Sequence, residues 1–323
     1  MFRLLFVIPA VVAMLIASPV VGQCGDNKYP DKPLHLVVHT KAGSGMDALM
    51  RLLGKILEER LGVPAVVENK PGGGSSVAMT YVATTKSPDY TLHGVSNIQL
   101  TTPLTNKVPY DMSSLRPISF LFEDPLVLFV RPDKPWKTAD DFLKDVKANP
   151  GKYTMGVAQV GSVDYLTVSY YPQKGYKYEV MPLDSGTETL TSVLGGHVDI
   201  GIVEPSIAVQ QAKAGKIRVL CSFTDERLKS LPDVPTMKEL GYPSVTMRQF
   251  RGIVMPGKAS DKAANFMYKE IQDIIQHDKT FRDYCDSNEM VIKVMSTQDF
   301  VNYMAAMTEE TRTMMRDLGM LKK

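Results

Sequence analysis

The segment LHLVVHTKAGSGMDALMRLLGKILEERLGVPAVVEN, Leu34 to Asn69, sets out a strand, a glycine turn, an amphipathic helix and a second strand in one pass. Leu34 to His39 is an apolar, β-branched run. From about Asp47 to Leu61, the residues Leu49, Leu52, Leu53, Ile56, Leu57 and Leu61 recur at helical spacing, with Lys55, Glu58 and Glu59 on the opposite face. Gly62 and Pro64 end the helix. Backbone amides in a first helical turn lack intrahelical acceptors, so the glycine turn that feeds this helix is built to hold something negative.

Working outward, β-branched runs at Ala65–Glu68, Thr91–Ser96, Leu126–Arg131, Tyr153–Val157, Tyr178–Met181, Ile200–Val203 and Ile217–Ser222 alternate with helical segments. That alternation is the pattern of a parallel-sheet α/β protein. Two stretches read as seams, VRPDKPWKT at Val130–Thr138 and GIVMPGKASD at Gly252–Asp261, each following an apolar strand. Crossings there divide the chain into a first lobe of residues 30–130 plus 250–323 and a second lobe of 131–249.

Composition narrows the function. The chain has 323 residues, 44% hydrophobic and 22% charged, with a formal net charge of +2. These are the proportions of a globular protein, without the charge footprint of a nucleic-acid binder. Met1–Gly22 carries Arg3, an apolar run from Leu4 to Ala17 and small residues before Gln23, which reads as a Sec-type secretory signal. The apolar run is short against the roughly 20 residues a membrane span needs. Cys24 follows Gln23 rather than a small residue, so a secreted, unanchored product is expected over a lipoprotein. Only Cys221 and Cys285 remain; a bridge between them is permitted but nothing demands it, and buried thiols are the simpler expectation.

The glycine turn admits two readings. Gly43, Gly45 and Ala48 satisfy G-x-G-x-x-A between strand and helix, with Glu68 at the end of the next strand, the fingerprint of a dinucleotide site. An exported enzyme of NAD type, a dehydrogenase, or a hydrolase using this turn, is the alternative it implies. The second reading is a small-anion cradle, with Ser44 and Thr40 as hydroxyl donors, Lys41 as a rim cation and Asp47 as either a helix cap or a partner for a ligand cation. Similar cradles lie at Gly72–Ser76, at Gly161 and Ser162, and at Ser185, Gly186 and Thr187. Cradles in both lobes suit two ends of one anion held across a cleft.

Several blocks in register carry a family resemblance: YPDKPLHLVV, AGSGMD, LGVPAVVENKPGGGS, LGGHVDIGI, AGKIRVL, LPDVPTMKELGYP and RGIVMPGKAS. From about Tyr29 onward the chain resembles the periplasmic solute receptors of tripartite tricarboxylate transporters, the Bug or TctC type. The resemblance implies a two-lobed type II periplasmic binding fold, a small carboxylate ligand, permease subunits as partners and no cofactor. A monomer in the periplasm, with a transport or sensory role, is the corresponding expectation. Carried over by position, one anion loop falls on His39–Asp47 and a second on Gly156–Tyr165. The chain departs from the pattern where Pro-Phe-x-Pro is often found and His39, Thr40, Lys41 and Ala42 stand instead, and where a common histidine is Tyr165.

Strand ends add Ser96, Asn97 and Glu204 as lining candidates. Glu204 is either a solvated cap before Pro205 or an acid at the pocket edge that suits a ligand carrying an amine or hydroxyl. The five histidines are scattered without metal-binding spacing, and no G-x-S-x-G elbow or S-x-x-K motif is present, so neither a metal nor a catalytic residue is expected.

Overall fold

The computed structural model describes residues 29–242 and 248–321. The expected secretory segment and Cys24 lie outside them. The quoted segment forms β1 (Leu34–Val38), α1 (Gly45–Leu61) and β2 (Ala65–Asn69). Ser44 Oγ accepts from the Asp47 amide to start α1, and Gly62, in the left-handed region at φ 71°, ends it. Leu49, Leu53, Ile56 and Leu57 are buried as the periodicity requires, with Met46 and Met50 completing the stripe, while Leu52 and Leu61 sit at its edge. Gly54 lets the helix sit close on β1, where a Cβ would lie 3.2 Å from Leu36 Cδ2.

The chain continues through α2 (Ser76–Thr84), β3 (Thr91–Val95), α3 (Ile98–Thr105) and β4 (Leu115–Asp124). It then enters a second sheet with β5 (Val127–Val130), α4 (Ala139–Ala148), β6 (Thr154–Val157), α5 (Val163–Tyr170), β7 (Glu179–Pro182) and α6 (Gly186–Leu194). β8 (Ile200–Val203), α7 (Pro205–Lys213) and β9 (Arg218–Ser222) complete that part. The chain returns with β10 (Gln249–Pro256), then α8 (Asp261–His277), α9 (Lys279–Ser287), β11 (Val291–Ile292) and α10 (Thr297–Asp317).

The first sheet has the order β11-β4-β10-β3-β1-β2 and the second β7-β6-β8-β5-β9. Both are mixed, which corrects the expectation of parallel sheets. β1, β2 and β3 are parallel, as are β6, β7 and β8, but β10 runs antiparallel to β3 and β4, and β5 antiparallel to β8 and β9. The strands that connect the sheets enter from the opposite end, without the helical crossover a parallel partner needs. The first crossing between sheets lies at Asp124–Val127, ahead of the expected seam, because β5 pairs with β8 and β9. Val130–Thr138 instead leads from β5 into α4.

The described thiols are free and buried in different apolar clusters, Cys221 with β9 and Cys285 with α9. α10 seals the first sheet where Gly252 of β10 receives the Phe300 ring, and a Cβ there would lie 2.4 Å from Phe300 Cζ. Gly252→Ala should therefore overpack this face and lower the unfolding free energy by about 1 to 3 kcal/mol. A urea titration would show this as a lower midpoint at unchanged slope.

Candidate functional site

Five helices begin at one cavity between the sheets. Its wall carries the opening residues of α1 (Ser44, Gly45, Met46), α3 (Asn97, Ile98), α5 (Ser162, Val163, Asp164), α6 (Ser185, Gly186) and α7 (Glu204, Ile207). These helices follow β1, β3, β6, β7 and β8, so the cavity lies at the carboxyl ends of the parallel strands, where open α/β sheets place ligands. The cavity measures ≈ 70 Å³, room for on the order of five water-sized spheres.

Two loops, one from each sheet, share a construction. Gly43 (φ 82°) and Gly161 (φ 84°) adopt the left-handed conformation. The serine that follows each caps its helix, Ser44 at the Asp47 amide and Ser162 at the Tyr165 amide. An aspartate then folds back on the loop: Asp47 accepts from Gly43 N at 2.9 Å, and Asp164 from Ala158 N at 2.5 Å. In α6, Ser185 caps at the Glu188 amide. The amides of Gly45, Met46, Val163, Gly186 and Thr187 have no intrahelical acceptor, and each helix end adds about half a positive charge.

Thr40, Ser44, Gly45, Ser96, Asn97, Ser162, Ser185, Gly186 and Glu204 line the cavity. Asn97 uses its side chain to tie α3 to the returning chain, donating to Arg248 O at 3.2 Å and accepting from Phe250 N at 3.0 Å. Lys41 does not line the cavity but a neighbouring pocket, with Gly72–Gly74 and Val160, and its ammonium is on Asp184. Gly43 is exposed and outside the cavity lining, its carbonyl accepting from Thr187 Oγ1 at 3.3 Å. Gly161 packs against α3, where a Cβ would sit 3.2 Å from Thr101 Oγ1. Tyr165, a turn beyond its cap, packs into the apolar core.

Ser44 is the cap expected of Asp47, and Asp47 instead ties the loop together from the first turn of the helix. It is buried and accepts from Gly43 N, from Arg51 Nε at 2.9 Å and from Asn69 Nδ2 at 2.9 Å. Burial pushes its carboxyl up, but these hydrogen bonds outweigh burial and hold it below the usual range. Glu68, the acid a dinucleotide site would aim at a ribose, is engaged by His35 at 2.8 Å, Tyr81 at 2.9 Å and Lys70 at 3.1 Å.

Sequence reasoning missed Gln249 and Arg251 of β10 and Asp184, all in the wall, while His39, Gln159 and Asp164 fall inside the two loops the resemblance marked. Arg251 Nη2 meets Glu204 Oε1 at 2.6 Å and Asp124 Oδ2 at 3.3 Å, and Gln249 Nε2 donates to Glu204 Oε1 at 2.8 Å. The available signal was a lone arginine inside the apolar strand QFRGIVMP. Burial raises Asp124, which Arg251 opposes, and burial pushes Asp164 up to about 6. Burial, then His93 and Arg251, push His39 down to about 3; burial takes His93 to about 4. Among the described residues no cluster of three or more metal-ligating side chains is present, and no helix is long and apolar enough to cross a membrane.

Two mixed sheets enclosing a cleft walled by helix N-termini define a two-lobed binding protein of the periplasmic type. The chain belongs to the tripartite tricarboxylate transporter family receptors (TctC), whose family model matches residues 49–320. Protein BugT of Bordetella pertussis is 27% identical over 282 residues, 85% of each chain. The periplasmic binding protein BugD superposes with a TM-score of 0.84 at 23% identity, covering 91% of this chain and all (100%) of that one. Rpa4515 of R. palustris with adipate gives a TM-score of 0.85 at 21% identity, covering 90% and 98%. The resemblance read from the sequence therefore stands, and with it the two-lobed α/β fold.

The buried histidines carry a pH consequence. His39 and His93 are held neutral in the fold, whereas in the unfolded chain each protonates near ~6.5. Below that pH the unfolded state binds more protons at these two positions, so their contribution to stability is complete above ~6.5 and is lost on acidification. Between pH 6.5 and 5 the wild type should lose stability relative to a His93→Gln variant by up to about 1.4 kcal/mol per pH unit, measured by denaturant unfolding at each pH. Equal slopes would show that His93 is protonated alike in both states.

Proposed function

We propose that this protein is an extracytoplasmic receptor that closes two lobes on a small carboxylate and delivers it to the membrane permease subunits of a tripartite transporter. The convergence of five helix N-termini, from both sheets, on one small cavity supports this reading above all. The adipate complex of Rpa4515 supports the ligand class. The lobes follow the two sheets, and the hinge includes the crossing between them at Asp124–Val127. The protein acts as a periplasmic monomer that returns its ligand unchanged, and the same closure serves a sensor equally well.

Ligand contacts to both lobes drive closure. Micromolar binding needs about 8 kcal/mol, within the range of several charge-assisted hydrogen bonds at about 1.5 to 3 kcal/mol each, less the cost of closing. Glu204 and Asp164 in the wall disfavour crowding by further carboxylates and suit an acid that also carries a hydroxyl or amine donor.

Thermal unfolding of the chain from Gln23, against mono-, di- and tricarboxylates, amino acids, aromatic acids and NAD, tests the reading. A ligand at 100 times its dissociation constant should stabilise by about 2.7 kcal/mol. Stabilisation by one carboxylate class is the expected result, and stabilisation by NAD alone would overturn the receptor. Glu204→Gln removes an acid from Arg251 and should raise affinity for dicarboxylates over monocarboxylates by on the order of tenfold. Titration calorimetry with malate and acetate would read that ratio.

A further inference from the structure

Beneath the cavity lies a buried relay that fixes a proton. Gln99 Oε1 accepts from Ser96 N at 2.8 Å, which sets the orientation of the Gln99 amide. Its Nε2 end therefore presents donors, and two histidine nitrogens face it: His39 Nδ1 at 3.0 Å and His93 Nε2 at 3.5 Å. His93 Nδ1 lies 2.9 Å from Val37 O, so the His93 proton is on Nδ1 and its Nε2 is the accepting side.

The same logic decides His39. A proton on His39 Nδ1 would point toward Gly94 O at 3.3 Å, but it would set donor against donor at the shorter Gln99 contact. The shorter contact favours Nδ1 as the acceptor over donation to Gly94 O, which puts the proton of the neutral ring on Nε2. His39 is 4% exposed and lines the cavity, and among the described residues no protein acceptor meets Nε2. Burial keeps the ring neutral, since protonation is pushed down to about 3.

We propose that His39 is a specificity-determining residue of the cleft, donating its Nε2–H to an oxygen of the bound carboxylate, with Gln99 and His93 as the residues that hold it in that tautomer. This rests on the carboxylate-receptor reading and deepens it. A neutral donor of fixed direction adds a hydrogen bond without adding charge, and it stands near Arg251, the one cation lining the cavity among the described residues, which Glu204 and Asp124 already occupy. An aliphatic side chain at position 39 would leave the ligand oxygen unpaired in a buried cavity, and an unpaired buried acceptor carries the full desolvation cost.

The test begins with long-range proton–nitrogen spectra of the full mature chain labelled at histidine. The expected spectrum shows His39 neutral with the proton on Nε2, and the Nε2 signal moves when whichever of malate, adipate, aspartate or benzoate most stabilises the wild type is added to saturation. Titration calorimetry with that acid then compares His39→Leu, which has no donor, with His39→Gln, which keeps one. Affinity should fall roughly ten- to hundredfold for His39→Leu and stay within about threefold for His39→Gln. A His39 proton on Nδ1, or an unmoved signal on saturation, overturns the inference even if the leucine variant fails to fold. Equal binding by wild type and His39→Leu also overturns it while leaving the receptor intact. Stabilisation by none of the four acids removes the carboxylate reading and the role of His39 with it.

Discussion

The cleft depends on one guanidinium. Arg251 reaches from β10 of the first sheet to Glu204, which opens α7 in the second, and it also touches Asp124, where the first crossing between sheets begins. All three side chains are nearly removed from water, at 7%, 12% and 2% exposure. Without the cation, two carboxyl groups would face each other in a poorly solvated wall, and removing one member of a buried pair typically costs about 3 to 5 kcal/mol. The arrangement adds little net stability, because desolvating the buried charges offsets most of their attraction. What it adds is position: Glu204 is fixed by Arg251 and Gln249 together, so the second sheet is registered against the first where the ligand space lies.

Around that fixed point the site is built from backbone. The loops Gly43–Asp47 and Gly161–Asp164 come from different sheets yet solve one problem alike, with a left-handed glycine, a serine cap and an aspartate folded back on a loop amide. The cap and the tie-back consume donors at the edge of each turn and leave those at its centre aimed into the cleft. This part was legible in the sequence, because glycine, serine and aspartate at those spacings have few other uses before an apolar helix. The same grammar explains why the first helix begins where the sequence indicates, and why Asp47 serves as a structural post.

The rest was hidden for identifiable reasons. β4 contains Pro117, which argues against an interior strand, yet Pro117 sits opposite Val254 at a register shift in the β10 ladder, where its missing N–H is tolerated. β11 is only two residues long and has no periodicity to read. Arg251 and Asp184 belong to positions whose meaning is tertiary: one partner of Arg251 lies 47 residues away along the chain, the other 127. The Gln99 relay is equally invisible, since Val37, His93, Gln99 and His39 come together only after β1, β3 and α3 have packed.

The electrostatics of the wall then account for how selection is divided. Among the described residues its formal charges are three acids, Asp164, Asp184 and Glu204, against Arg251. Cationic side chains therefore do not supply the attraction for an anion. Helix termini do, and their partial charges are fixed in direction, insensitive to pH and effective only within about one turn. Such a field welcomes a single carboxylate at short range but resists a second one beside the acids. Discrimination among small acids consequently falls to placed hydrogen-bond donors and to the shape of a cavity of ≈ 70 Å³. His39, Thr40, Gln249 and Arg251 line the cavity at positions that anion-loop glycines and serines do not dictate, and the proposed discrimination would rest on them.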